Sequence, residues 1–368
     1  MKNSPPPRRI VSIDALRGAD MLLLAGGAAV LQALAPLCGG ETLRRQLTHA
    51  DWGGTLTCWD MVMPLFIFIV GASMPFAFAK YRASGTSSGR ILWRVGRRCA
   101  LLFLLGMLVQ GNLASADPAR MSLFCNTLQA IASGYLIAAL CFMLGGVRTQ
   151  LIACIACMAA YWAALRFVPY GSHPAGLFLP QENLAIRIDR FLLGHWQDGT
   201  PYSWILTSLS FGALTLLGAM GGHIIRSGVR ALWLLPAVAA ACLLGGWLLS
   251  YDTPIIKHIF TTSMVLWSAG WCFILLALFH MAFDTTPALH WLAQPLCVFG
   301  SNAILAYVLT QTPGLPGHTL WQGFTYPLLS GVASLAGSGA TVVYELLSLG
   351  LLYLLLLYLH RRHIHLRV

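Results

Sequence analysis

Charged residues are scarce in this chain, and their scarcity excludes an ordinary soluble fold. Only 10% of its 368 residues are Asp, Glu, Lys or Arg, whereas 57% are hydrophobic. A soluble domain usually carries about 25% charged residues. Apolar runs of about 20 residues, the length needed to cross a hydrocarbon core, recur from end to end. We therefore predict an all-α, polytopic integral membrane protein that forms a single membrane domain over residues 1–368.

The chain also lacks the marks of a secreted, disulfide-bonded or metal-binding protein. Its basic, proline-rich start, MKNSPPPRR, is not followed by the short apolar core and cleavage site of a signal peptide. We therefore expect the first apolar run to remain in the protein. The ten cysteines lie mostly in apolar runs, where they act as small buried side chains. No zinc pattern is visible, and we predict no bound metal.

Ten spans, or eleven at most, fit the hydropathy pattern. They cover approximately residues 15–37, 58–79, 93–113, 123–146, 150–168, 205–226, 231–250, 260–283, 291–311 and 341–360. Between the last two, the Gly- and Pro-containing segment 312–340 is not a simple span. We expect a re-entrant or interfacial helix there, at about 320–333.

The basic residues divide unevenly between the two sides that these spans define. On this assignment 16 of the 23 Lys and Arg fall on the side that holds both termini. The positive-inside rule makes that side cytoplasmic. The net charge of +11 is then a signal of orientation, and we predict no nucleic-acid partner.

The acids lean the other way. Eight of the 12 fall at or beyond the outer ends of the spans. An acidic outer face favours a cationic ligand, although ordinary loop solvation explains the bias equally well. The longest outer loop, at 169–204, contains the patterned stretch QENLAIRIDRFLLG. Because long loops in compact proteins are often functional, we expect an ordered loop folded over the outer mouth.

The stretch LTHADWGGTLTCWDMVMPLF at 47–66 places His49 outside the second span and Asp60 inside it. Pro64 lacks the N–H that would bond the carbonyl of Asp60, so the first helical turn is predicted to be loosened there. A neutral imidazole near pH 7 is a good proton acceptor, and a carboxylate can orient it. The alternative is that His49 is a solvated loop residue.

Two further motifs carry charge on the cytoplasmic side. In SIDALRG, Asp14 and Arg17 are spaced to pair on one helix face, as a functional pair or as a structural one. In KYRASGTSSGRILWRVGRRC, the arginines include Arg94, Arg97 and Arg98. Arginine suits phosphate groups, which favours a phosphate-bearing ligand such as coenzyme A. The positive-inside rule explains much of the same cluster.

Asn302 lies inside a predicted span, in the stretch PLCVFGSNAILAYVL. An asparagine among small residues in a membrane helix seeks a partner, and interhelical hydrogen bonding is its simplest interpretation. A role in binding or catalysis is the other.

Taken together, these stretches resemble the heparan-α-glucosaminide N-acetyltransferase family with its bacterial relatives. The resemblance rests on SIDALRG, His-x-x-Trp before DMVMPLFIFIVG, ENLAIRIDRFLLG, IIKHIFTTSMVL and FGSNAILAYVL, in that order over roughly residues 9–310. Residues 311–368 match only as a final hydrophobic segment. The resemblance implies a transmembrane acyltransferase fold and acetyl transfer from cytosolic acetyl-CoA to an amino sugar on the far side, with acetyl-CoA as co-substrate.

The resemblance also implies roles for individual residues. His49 is the expected active-site residue, helped by Asp60 and Asn302, with Asp14 and Pro64 as structural residues. We expect coenzyme A to contact Arg17, Arg94, Arg97, Arg98, Asn126 and Gln129. For the sugar we expect contacts from Asn183, Asp189, Asp198 and Lys257. Direct transfer and an acetyl-histidine intermediate both stay open.

The expected setting is the bacterial inner membrane, with membrane lipid around the chain and homodimerisation as one assembly option. The principal alternative function is transport of amino sugars or cell-wall fragments. The polytopic architecture and the intramembrane polar residues permit it, although no internal repeat of the kind common in transporters is visible.

Overall fold

The computed structural model describes residues 10–38, 40–115 and 121–366. Several charged residues that entered the orientation prediction lie outside this part of the chain. They are Lys2, Arg8, Arg9, Asp117, Arg120 and Arg367.

The described chain is helical, with only isolated bridges between extended residues. Its α-helices are α1 Val11–Leu22, α2 Ala28–Leu34, α3 Glu41–Gln46, α4 Val62–Ala83, α5 Ser88–Val109, α6 Asn112–Ser115, α7 Thr127–Leu144, α8 Val147–Phe167, α9 Leu184–Leu193, α10 Ser208–Ile225, α11 Ala231–Ser250, α12 Thr262–His280, α13 His290–Ser301, α14 Ala303–Gln311, α15 Leu320–Ser334 and α16 Ala340–Arg361. The all-α prediction is confirmed for these residues.

Seven of these helical segments are long and apolar enough to cross a membrane, which makes the chain an integral membrane protein. They are Trp59–Ala83, Thr127–Leu144, Val147–Phe167, Ser208–Ile225, Gly228–Ser250, Thr262–Thr285 and Gly337–Arg361. The pair α13 and α14, bent by 63° at Asn302, brings the number to eight if it counts as one span.

The predicted count of about ten spans is therefore not supported. Two of the ten fall short for visible reasons. The span predicted at 15–37 is broken between α1 and α2 by a π-helical turn, where Gly26 adopts a φ of 150°. The span predicted at 93–113 corresponds to α5, which starts at Ser88 and carries four arginines along its first half. The helix expected at about 320–333 is present as α15, which has 15 residues.

Close helix contacts at glycine fix the centre of the molecule. A Cβ added to Gly71 of α4 would lie 1.9 Å from the carbonyl oxygen of Thr215 in α10. One added to Gly218 of α10 would lie 2.0 Å from that of Phe68 in α4. Small residues allow such approach between membrane helices. The contact locks α4, which carries Asp60 just before its first turn, against the core.

A second glycine contact joins α1 to α13. A Cβ on Gly18 would lie 1.7 Å from the carbonyl oxygen of Leu296, and one on Gly300 would lie 2.4 Å from that of Asp14. The pairing holds the SIDALRG motif beside the bend at Asn302. Asp14 and Arg17 form the predicted ion pair on α1, with 3.5 Å between Oδ1 and Nη1.

Candidate active site

Two segments close in sequence and a third, distant one bring His49, Asp60 and Lys257 together. His49 follows α3, Asp60 lies in the 3₁₀ turn Trp59–Met61 that leads into α4, and Lys257 lies between α11 and α12. Lys257 Nζ is 2.9 Å from Asp60 Oδ1 and 2.8 Å from His49 Nδ1. His49 Nδ1 is 3.1 Å from the same Asp60 oxygen. The predicted pairing of His49 with Asp60 is thus present, and Lys257 completes it.

The loop around Asp60 fixes its carboxylate. The backbone N–H groups of Ala50 and Thr57 donate to Oδ2 at 3.1 and 3.2 Å. The Thr57 hydroxyl donates to the same oxygen at 3.1 Å. Asp60 is fully buried. Since Oδ2 is occupied by the loop, Oδ1 is left for His49 and Lys257. Pro64 is the third residue of α4, where the first turn needs no N–H partner.

Trp59 determines which nitrogen of His49 carries the proton. Its indole Nε1–H donates to His49 Nε2 at 3.3 Å, so Nε2 is an acceptor. With Nε2 as the acceptor, a neutral ring carries its proton on Nδ1 and donates it to Asp60 Oδ1. In that tautomer the Lys257 ammonium, 2.8 Å from Nδ1, makes a contact between two donors and not a hydrogen bond. The His49 side chain is 55% exposed, although the Asp60 side chain is only 1% exposed. The arrangement is that of a general base with an orienting carboxylate and an accessible Nε2.

The loop that carries Lys257 is held by its own hydrogen bonds. Thr261 Oγ1 donates to the Pro254 carbonyl at 2.8 Å, and the Ile256 N–H donates to Thr261 Oγ1 at 3.1 Å. Lys257 is 7% exposed. Burial lowers the pKa of Lys257, and the nearby Asp60 carboxylate opposes that shift. A buried ammonium beside a carboxylate and an imidazole is a charge-assisted donor for chemistry at this position.

Trp52, the tryptophan of the His-x-x-Trp motif, connects the site to the long loop at 169–204. Its Nε1–H donates to the Phe178 carbonyl at 2.7 Å, and its ring stacks on His258 at 5.1 Å. The loop contains α9 and two isolated bridges. It is therefore ordered beside the His49 segment.

A cavity of about 330 Å³ opens beside the three residues. Its polar and aromatic lining side chains are His49, Trp59, Phe66, Gln110, Asn126, Thr127, Asp198, Thr200, Tyr202, Trp204, Lys257, Tyr307 and Gln311. We call it the histidine chamber. Burial and the Asp60 charge raise the pKa of Tyr202 to about 12, so its hydroxyl stays protonated at neutral pH.

A larger cavity of about 690 Å³ lies towards the other end of α4. Its ionisable lining side chains are Asp14, Arg17, Lys80, Arg98, Tyr307 and His365. We call it the basic chamber. The Arg98 guanidinium also lies 4.4 Å from the centre of the Tyr135 ring, which fixes its direction.

The two chambers meet at Phe66, Thr127 and Tyr307, each of which lines both. Along α4 and the turn before it, the lining residues follow one stripe with i,i+3 and i,i+4 spacing. They are Trp59, Val62, Met63 and Phe66 for the histidine chamber, and Phe66, Val70, Ser73, Phe76, Ala77 and Lys80 for the basic chamber. From residue 60 to residue 80 a helix rises about 30 Å, the thickness of a hydrocarbon core. The two chambers thus lie end to end along a membrane-crossing helix with Phe66, Thr127 and Tyr307 between them, and we call this line of lining residues the track.

Among the residues predicted to bind the cofactor, only some line a chamber. Arg17 and Arg98 line the basic chamber and Asn126 lines the histidine chamber, whereas Arg94 and Arg97 are exposed and line neither. Gln129 lines neither because its side chain closes a capping box with Asn126 at the start of α7. Asn126 Oδ1 accepts from the Leu128 N–H at 2.9 Å and from the Tyr307 hydroxyl at 3.2 Å.

The residues predicted to bind the sugar divide in the same way. Asp198 and Lys257 line the histidine chamber. Asn183 instead caps α9, where its Oδ1 accepts from the Ile186 N–H at 3.0 Å. Asp189 is fully buried and accepts from the backbone N–H groups of Trp204 and Ile205 at 2.6 and 3.0 Å. These two residues organise the outer loop.

Asn302 is placed with the C-terminal segment and does not line either chamber. Its Nδ2 donates to the Ile364 carbonyl at 3.2 Å, and its Oδ1 accepts from the Leu366 N–H at 3.0 Å. Asn302 therefore does not contact His49, and the structure does not support the catalytic role predicted for it.

Two residues of the site escaped the sequence reasoning. Tyr307 and Trp59 line the track, yet no motif singled them out as site residues. Lys80 belongs to the predicted cationic stretch, but it was not among the residues expected to contact coenzyme A. The i,i+3 and i,i+4 spacing along α4 is visible in the sequence. Because this span is apolar on all sides, the spacing does not indicate which face of the helix lines a cavity. No group of three or more His, Cys, Asp or Glu within the described ranges could hold a metal ion.

No family model matches the chain. Two curated proteins are similar to it, each named heparan-alpha-glucosaminide N-acetyltransferase. The Homo sapiens protein is 30% identical over 103 residues, which cover 28% of this chain and 14% of that protein. The Mus musculus protein is 24% identical over an alignment that covers 82% of this chain and 54% of that protein. The chain thus spans about half the length of the mouse relative, and the similarity supports the family only loosely.

Proposed function

We propose that this chain is a transmembrane acetyltransferase that moves an acetyl group from cytosolic acetyl-CoA to the amine of an amino sugar on the opposite side of the membrane. The observation that carries the proposal is the track along α4, which joins a chamber rich in cations to a chamber that holds a general base. The names of the two relatives support the reaction and a glucosaminide acceptor.

The basic chamber suits the nucleotide end of coenzyme A. Arg17, Lys80 and Arg98 present three cations to it against one acid, Asp14. Arginine and lysine bind phosphate oxygens by charge-assisted hydrogen bonds. The pantetheine arm then extends along the α4 stripe past Phe66, Thr127 and Tyr307. Its thioester reaches the histidine chamber while the charged nucleotide stays on the cytoplasmic side.

The histidine chamber supplies the proton transfer. The acceptor enters as an ammonium ion and takes the place of the Trp59 N–H at His49 Nε2, which removes its proton. The free amine then attacks the thioester carbonyl and forms a tetrahedral intermediate whose nitrogen still carries two protons. The imidazolium gives its proton to the departing coenzyme A sulfur, and His49 Nε2 then takes the second proton from the nitrogen, which leaves the neutral amide. That second proton passes to solvent, so the reaction releases one proton overall. Throughout, Asp60 stabilises the charge on His49.

Lys257 is the group best suited to stabilise the oxyanion. Its ammonium donates one N–H to Asp60 Oδ1, and it lines the same chamber. An ammonium donor in a site shielded from water stabilises developing negative charge strongly. We assign Lys257 this role in place of Asn302. In the two-step alternative, His49 Nε2 attacks the thioester first and the acetyl-imidazole then passes the acetyl group to the amine.

The outer wall of the histidine chamber suits an amino sugar. Tyr202 and Trp204 offer aromatic faces, and Asp198 offers a carboxylate that attracts an ammonium ion. Asp198 is held in place because its Oδ2 accepts from the Thr200 hydroxyl at 2.8 Å and from the Trp204 indole at 3.1 Å. On this basis the acceptor's amine is placed between Asp198 and His49.

The first test is transfer of radiolabelled acetyl by the purified protein. The protein is incubated with labelled acetyl-CoA and a panel of acceptors that includes glucosamine, a cell-wall-derived amino sugar and an N-blocked sugar as control. The proposal expects label on the free-amine sugars and none on the blocked sugar. Absence of product with every amine would contradict it.

Because the chambers join into a track, transport of amino sugars is the second candidate. Proteoliposomes that take up labelled glucosamine without acetyl-CoA would favour the transporter. The acetyltransferase proposal expects no such uptake, and it expects label to leave the coenzyme A pool only when an amine is present.

A further inference from the structure

The described C-terminal segment, residues 362–366, folds back on the bundle after α16. His363 has a φ of 57°, a left-handed conformation that reverses the chain. Further along, the backbone groups of Ile364 and Leu366 are both bonded to the side chain of Asn302. The Asn302 amide therefore holds two residues of this segment at the bend between α13 and α14.

The two hydrogen bonds to residues 364 and 366 restrain His365, which lies between them. Ile364 and Leu366 meet Asn302 through their backbones, and His365 lines the basic chamber together with Leu366, Gly300 and Ser301. His360 supports this arrangement, because its Nδ1 is 3.1 Å from Ser301 Oγ and its ring lies 5.8 Å from that of His365.

We infer that the C-terminal segment forms one wall of the basic chamber, that His365 contacts a phosphate of the coenzyme A nucleotide there, and that Asn302 positions His365 for this contact. The inference rests on the proposed function, since it names the ligand of the basic chamber. An imidazole N–H adds to the donors of Arg17, Lys80 and Arg98 without adding an acid. The inference also explains why Asn302 is buried and polar although it does not contact His49.

The first experiment compares two histidines of the same segment. Affinity for coenzyme A is measured by titration calorimetry on the full-length protein, with pantetheine as a ligand that lacks the nucleotide. We expect His365→Ala to weaken coenzyme A binding roughly tenfold, the scale of one lost charge-assisted hydrogen bond, and to leave pantetheine binding unchanged. His363→Asn is the control, because His363 is exposed and does not line the chamber and asparagine tolerates a left-handed backbone.

The second experiment tests positioning with a double-mutant cycle. If Asn302 acts through His365, then Asn302→Ala weakens coenzyme A binding by a similar factor, and the double variant binds no worse than His365→Ala alone. Additive losses would show that Asn302 acts elsewhere. Thermal melts identify any variant that fails to fold, and if Asn302→Ala does so, the histidine pair still decides the inference.

The outcomes separate this inference from the proposed function. Wild-type protein that binds no coenzyme A would overturn both. If the wild type binds coenzyme A and His365→Ala binds it equally well or more tightly, only the inference is overturned. The segment would then make no favourable contact with the ligand, or it would obstruct the chamber.

Discussion

The two chambers handle charge in opposite ways. In the histidine chamber, Asp60 and Lys257 lie 2.9 Å apart and His49 contacts both. In the basic chamber, Arg17, Lys80 and Arg98 come from three different helices and share one acid, Asp14. The first arrangement is internally balanced and the second carries excess positive charge.

This difference separates two tasks. In a balanced cluster the carboxylate can orient the imidazole and stabilise the positive charge that the ring gains when it accepts a proton. Excess cations instead attract a polyanion, and their effect weakens as salt rises. Substitutions in one chamber should therefore change chemistry and leave nucleotide affinity intact, while substitutions in the other should do the reverse.

The largest expected effect is on His49. His49→Ala should lower kcat for acetyl transfer by about 10²- to 10⁴-fold, the usual contribution of a general base, and leave the Kd for coenzyme A unchanged. Steady-state kinetics and calorimetry measure the two quantities. His195→Ala, an exposed outer histidine, should match the wild type in both. Full activity of His49→Ala would remove His49 from the mechanism.

The second effect is on stability, through the buried pair. Lys257→Met leaves the Asp60 carboxylate without its cation and should cost about 3–5 kcal/mol, seen as a lower Tm in detergent. Adding Asp60→Asn to it removes the uncompensated charge and should recover much of that loss. The double variant should still be inactive. Equal Tm values for the single and double variants would show that the pair is not coupled.

A comparison of Arg98 with Arg97 tests whether the ligand binds in the basic chamber or is attracted by the surrounding surface. Arg98→Ala should raise the Kd for coenzyme A roughly tenfold through the loss of a charge-assisted contact, with a larger effect at low salt. Arg97→Ala removes the same charge from a neighbouring exposed position that lines neither chamber, and should have little effect. Equal losses in both variants would mean that the general field of α5, and not the chamber, attracts the ligand.

The smallest expected effect separates two acids of the outer side. Burial raises the pKa of Asp189 to about 6, with Asp198 adding to the shift. The folded state then holds a proton that the unfolded chain releases near pH 4, so this group's contribution to stability falls as pH rises from about 4 to 6. In a plot of Tm against pH, the wild type should therefore show a decline between about pH 4 and pH 6 that is due to Asp189. Asp189→Asn should lack this decline. Asp198→Asn should reduce the slope only slightly, because burial is the larger cause of the raised pKa of Asp189, and it should raise the acceptor's KM.

Sequence reasoning reached the parts of the site that lie near one another in the chain. His49 and Asp60 are eleven residues apart. The His-x-x-Trp motif marks His49, and the acid before the next span marks Asp60, so the sequence predicts the two as a pair. Lys257 was assigned to the sugar because nothing local indicates that its ammonium meets Asp60 across 197 residues. Likewise, spans such as Trp59–Ala83 follow from hydropathy, whereas the break at Gly26 depends on a backbone conformation that hydropathy does not encode.

Asn302 and Asp189 illustrate the other limit. Each is a polar residue that the sequence analysis assigned to the site, Asn302 from its place inside a predicted span and Asp189 from its motif in the long loop. Backbone groups satisfy both, at residues 364 and 366 for Asn302 and at residues 204 and 205 for Asp189. Which buried polar residue meets a ligand and which meets a peptide group depends on the tertiary path of distant segments, and no spacing rule supplies it.

The central claim is that the two chambers serve one reaction across the membrane. The direct test uses proteoliposomes in which the protein's orientation has been fixed, with labelled acetyl-CoA supplied on the side of the basic chamber and amino sugar enclosed on the other. The account predicts acetylated sugar only inside the vesicles, and none when acetyl-CoA is supplied with the sugar on the histidine-chamber side. Product formed only when both substrates are on the same side would contradict it.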